Sequence, residues 1–132
     1  MLKPLLHYGI VLVVFFAIDM VWLGVIAKNL YAKYLGYLMA PQVNWIAAVL
    51  FYLLFILGLL VFVIEPALIQ QDLLKLILSA ALFGLVTYAT YDLTNLATIK
   101  DWPMVITLID LTWGMTLSVI VSTLSYLILI RL

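Results

Sequence analysis

The chain reads as an all-α integral membrane protein, an up-down four-helix bundle. Three observations predict this class. The composition is 69% hydrophobic with only 9% charged residues, the mean hydropathy is +1.34, and the apolar residues gather into four runs of about 20 residues or more, enough to cross a bilayer. A soluble domain of 132 residues needs far more charge to cover its surface. The runs fall at residues 4–27, 43–64, 73–98 and 103–130. They leave no room among these residues for a second folded unit, so one transmembrane domain is expected over 1–132.

The first run could pass for a signal peptide, because Val25 and Ala27 mimic a cleavage signature. Its apolar region is too long for one and Asp19 interrupts it, so a permanent helix is expected. Residues 28–42 then space Tyr31, Tyr34 and Tyr37 three apart among leucines and two lysines. Tyrosine rings favour the headgroup zone, which marks an interfacial amphipathic segment, an aromatic belt in its plainest form. The second run opens on Asn44 and Trp45 and is expected to end at Glu65–Pro66, because proline disfavours a helical residue before it. That leaves 65–72 as a connection. The third connection, IKDWP at 99–103, is a tight turn, and Pro103 opens the last helix where its missing N–H costs little.

Orientation is balanced. Lys3, Lys75 and Arg131 fall on the side of both termini, and Lys28, Lys33 and Lys100 on the other. The α-amino group tips the positive-inside rule slightly toward termini inside. The formal net charge of zero gives no support for nucleic-acid binding. Cysteine is absent and His7 is the one histidine. Disulfides and thiolate sites are thereby excluded, a haem or zinc site is disfavoured, and His7 reads as an end residue. The residues name no cofactor.

Three aspartates lie inside apolar runs, at AIDMVWLG (17–24), TYDLTN (90–95) and LIDLTWG (108–114). At 1.5 Å per residue, Asp19 lies roughly 12 Å, Asp92 roughly 9 Å and Asp110 roughly 10 Å from the same end of an up-down bundle. All three fall at one level, beneath the Tyr-rich segment. Tyr88, Asp92 and Asn95 share a face of the third helix, with Thr94 on the adjoining stripe. Trp113 lies about 15 Å deep, where its N–H wants a partner, whereas Trp22 sits at interfacial-anchor depth. Gly114, Ser118 and Ser122, four apart, fit a close helix contact better than a ligand track, and the threonines have an equal claim to bonding back to their own backbone.

The segments DMVWLG (19–24), NWIAAVLFYLL (44–54), ATYDLTNLATIKDWP (89–103) and DLTWG (110–114) resemble a family of small bacterial membrane proteins, domain of unknown function 2177. The likeness runs nearly end to end. It implies a four-helix protein of the bacterial inner (cell) membrane and assigns no activity.

Ionisable residues at membrane depth point to function, and each costs about 2.5–3.5 kcal/mol at a helix centre. No lysine or arginine lies at that depth. The aspartates must therefore share protons, hold a cation or face water. The leading expectation is a site, built from Asp19, Asp92, Asp110, Asn95, Tyr88, Thr94 and Trp113, that binds or transports a proton, a cation or a small cationic or amphipathic ligand. Any metal would fall to Asp19, Asp92 and Asp110. So small a chain would transport as a homo-oligomer. The alternatives are a membrane-embedded lipid-modifying enzyme, since paired aspartates do acid–base work, and a structural subunit whose polar groups serve helix association.

Overall fold

A computed structural model of the protein describes residues 2–132. Its elements are α1 (Leu2–Ile26), a short α2 (Leu30–Leu35), α3 (Trp45–Gln70), α4 (Leu73–Thr98) and α5 (Met104–Leu129). The four long helices are each apolar and long enough to span a membrane, and among the described residues there are no strands. The up-down bundle predicted from hydropathy is the fold found.

Each long helix turns one stripe inward. On α1 the buried residues are His7, Val11, Phe15 and Asp19, four apart, so an apolar centre is flanked by one polar residue at each end. On α4 they are Leu76, Ala80, Gly84 and Asp92. The most extensive contact is between α4 and α5. It is close because Gly84 lies against the backbone of α5. A Cβ there would overlap the carbonyl of Gly114, and one on Gly114 would overlap the Tyr88 ring. The expected small-residue contact is thus present. Ser118, Ser122 and Ser125 are fully buried along the same stripe of α5, their hydroxyls without hydrogen-bond partners among the described residues.

The expected end of the second helix at Glu65–Pro66 is not where it ends. Backbone bonding shifts to a π turn over Leu60–Ile64, with the Glu65 N–H donating to the Leu60 carbonyl, and α-helix resumes through Pro66 to Gln70. A π turn changes the local register of the ladder, and here it takes up the disturbance that proline makes by lacking an N–H. The helix stops at Gln71, whose φ of 52° is left-handed. Glu65 therefore belongs to α3 and faces α1, where one of its oxygens lies 2.5 Å from His7 Nδ1. His7 is thus a buried paired residue rather than a bare helix end.

The Tyr-rich segment folds over the end of the bundle. Tyr37 donates its hydroxyl to the Asp101 carbonyl at 2.8 Å, tying the segment to the α4–α5 turn. That turn is itself fixed by buried Trp102, whose indole donates to Thr107 Oγ1 at 3.0 Å.

Candidate functional site

Beneath α2, every helix contributes to a cavity of about 400 Å³. Asp19, Trp22 and Leu23 come from α1, Tyr31 and Leu35 from α2, and Phe51 and Tyr52 from α3. Thr87, Tyr88 and Tyr91 come from α4, and Asp110 and Trp113 from α5. The walls are therefore mostly aromatic, and the charge-bearing groups among them are two carboxyls.

The three aspartates are all buried, at 4%, 0% and 7% exposure for Asp19, Asp92 and Asp110. Their roles differ. Asp110 is the best-held, accepting a 2.6 Å hydrogen bond from the Tyr31 hydroxyl, which in turn accepts from the Trp22 indole at 3.2 Å. Burial, and then the Asp110 carboxyl, push the Tyr31 phenol well above its ordinary value, so it acts as a permanent donor. Asp19 lies within reach of the Trp113 indole and the Tyr52 hydroxyl, although the indole N–H closes no full hydrogen bond.

Asp92 stands behind the cavity wall. Neither of its oxygens has a donor among the described residues, and the group within hydrogen-bonding reach is the Asp110 carboxyl. Two carboxylates accept but cannot donate, so a bond between them requires a proton on one. The two carboxyls are thus neighbours, and Asp92 is left without a donor of its own.

Of the other residues expected here, Tyr88 and Trp113 line the cavity. Asn95 does not; it sits beside Tyr91, one turn further along α4. Thr94 is exposed and donates back to the Thr90 and Tyr91 carbonyls of its own helix. Thr87, Thr90 and Thr98 bond back in the same way, which is how a hydroxyl on an apolar helix satisfies itself. Among the cavity residues that escape a reading by depth are Trp22, Tyr31 and Tyr52. Trp22 is no free interfacial anchor, because its ring stacks on that of Trp113. Among the described residues no three His, Asp or Glu side chains converge closely enough to hold a metal ion, so Asp19, Asp92 and Asp110 do not form the three-ligand cage that their depth suggested.

Four apolar spans around a polar, aromatic-walled cavity define an integral membrane protein. Over residues 4–127 the chain matches the family described as "Predicted membrane protein (DUF2177)", and it belongs to that family. No curated protein and no solved structure matches it.

Proposed function

We propose that this protein, in the bacterial inner membrane, binds a small organic cation, an ammonium group with or without an amphipathic tail, in the cavity between Asp19 and Asp110. One observation carries the reading: two carboxyls face a cavity walled by Trp22, Tyr31, Phe51, Tyr52, Tyr88, Tyr91 and Trp113, and no lysine or arginine lines it. Aromatic faces attract cations by about 0.5–2 kcal/mol each, most strongly when desolvated. A carboxylate adds charge-assisted hydrogen bonds. A volume of about 400 Å³ exceeds what a bare metal ion needs and lies within the range of small-molecule sites. Under this reading Asp92, buried next to Asp110 without a donor of its own, adds a further carboxyl behind the one that meets the cation.

That same pair supports a second reading, acid–base catalysis on a membrane lipid, since two adjacent carboxyls with one proton divide into an acid and a base.

The test is tryptophan fluorescence of the purified protein in an uncharged detergent, titrated with choline, ethanolammonium or sodium chloride at matched ionic strength. Choline or ethanolammonium should give a saturable change that sodium does not. Asp110→Asn should weaken it at least tenfold, as expected for losing a charged partner worth about 1.5–3 kcal/mol. An equal response to sodium, or none to either ammonium, sinks the proposal.

A further inference from the structure

A larger cavity lies elsewhere. A groove of about 810 Å³ runs between α1 and α3 toward the opposite end of the bundle, lined along α3 from Leu50 to Glu65. Fifteen residues of helix make it roughly 22 Å long, more than half of the ~30 Å hydrocarbon core, so it can seat one acyl chain along its length. Below its charged end the walls are leucine and valine together with Pro4 and Tyr8 of α1, the Tyr8 hydroxyl donating to the Leu53 carbonyl at 2.9 Å. Many of the leucines turn outward: Leu54 is 66% exposed and Leu57 46%.

The charged groups gather at one end. Lys3, His7 and Glu65 line it there, at the level where α1 begins and α3 ends. His7 occupies one Glu65 oxygen at 2.5 Å, and the side chains differ in access, at 9% for His7 and 35% for Glu65. The carboxylate, not the imidazole, is therefore the group open to a ligand. Lys3 supplies an exposed cation. The groove thus offers a positive and a negative group at the membrane surface and an apolar channel beneath them.

We infer that this groove is a binding site for a phospholipid whose headgroup carries both a phosphate and an ammonium, the phosphate meeting Lys3, the ammonium meeting Glu65 and one acyl chain lying along α3. The charges select this occupant. An anionic lipid would satisfy Lys3 and be repelled by Glu65, and a lipid without phosphate would leave Lys3 without a partner. The site shares no residue with the ammonium cavity and stands apart from that reading.

Native mass spectrometry of the purified protein, with equal amounts of phosphatidylethanolamine and phosphatidylglycerol added in an uncharged detergent, tests it. The wild type should retain phosphatidylethanolamine in preference, by on the order of tenfold, the worth of one charged hydrogen bond. Glu65→Gln keeps the shape and an oxygen for His7, and should remove the preference while the melting temperature shows that the fold persists. Leu57→Trp, at an outward position, should obstruct the chain and lower retention of both lipids. A preference lost in Asp110→Asn but kept in Glu65→Gln would place the lipid ammonium in the cavity beneath α2 instead and overturn the assignment. Equal retention of the two lipids by the wild type, a preference that survives Glu65→Gln, or retention unchanged by Leu57→Trp would overturn the assignment.

Discussion

Trp22 and Trp113 stack with ring centroids 4.3 Å apart and planes within 10° of parallel. The pair joins the first spanning helix to the last and forms one wall of the ammonium cavity. Aromatic pairs contribute about 0.5–1.5 kcal/mol beyond the area they bury. Trp22→Leu should lower stability by about that much and weaken choline binding while leaving Asp110 in place. A variant with wild-type affinity for choline would show that the stacked wall is only packing.

Tyr31 holds α2 down through its bond to Asp110. Tyr31→Phe removes a hydrogen bond to a charged group, about 1.5–3 kcal/mol, and should speed hydrogen exchange across residues 28–42 without affecting the helix centres. Unchanged exchange there would mean that Tyr37 alone secures the segment.

The same phenol sets a dependence on alkaline pH. Burial, and next the Asp110 carboxyl, raise it above its ordinary value of 10.0. The unfolded chain releases this proton near that pH while the folded chain keeps it. Stability is thus fully present below that value and falls as pH climbs past it, by up to about 1.4 kcal/mol per pH unit for one proton. Melting curves from pH 9 to 11 should show a shallower decline in Tyr31→Phe than in wild type. Parallel declines would contradict the assignment.

A shared proton between Asp92 and Asp110 should appear in the infrared as a protonated carboxyl band at neutral pH. Asp92→Asn should abolish the band, since its amide N–H supplies the donor that the proton provided. Its melting temperature should hold or rise, because a buried acid with no other partner is replaced by a neutral group. No band in wild type would remove the pair from any mechanism.

At the α4–α5 contact, Gly84→Ala should cost about 1–3 kcal/mol through overpacking, since the new methyl meets backbone that cannot rotate away. Ser122→Ala, at a fully buried position with an unpartnered hydroxyl, should be neutral or stabilising. Detergent melting curves of the two variants separate a contact that needs the missing side chain from one that needs only small volume.

Hydropathy and depth made much of this legible. The four spans, the common level of Asp19, Asp92 and Asp110, and the small-residue contact at Gly114 all follow from run length and spacing. Depth along a helix says nothing about azimuth, however. Thr94 shares the level of Asp92 but faces outward, and Asp92 itself sits behind Asp110 rather than in the cavity. Tyr31 was hidden because a tyrosine in the headgroup zone and one reaching a carboxyl have the same sequence signature. The His7–Glu65 pair was hidden by Pro66: a rule that ends helices at proline places Glu65 in a loop, and only the π turn before it keeps Glu65 facing α1.

The position of Asp19 also constrains how the protein is made. Asp19 is synthesised in the first span, Tyr52 arrives in the second, and Trp113 emerges only with the last. At each earlier stage of synthesis the Asp19 carboxyl lacks part of its final surroundings. Lateral release of the nascent spans into lipid one by one would strand it. The chain is better served by staying gathered at the insertion machinery until the fourth helix is complete. A polypeptide that stops after the third helix would leave the Asp19 carboxyl without its indole neighbour.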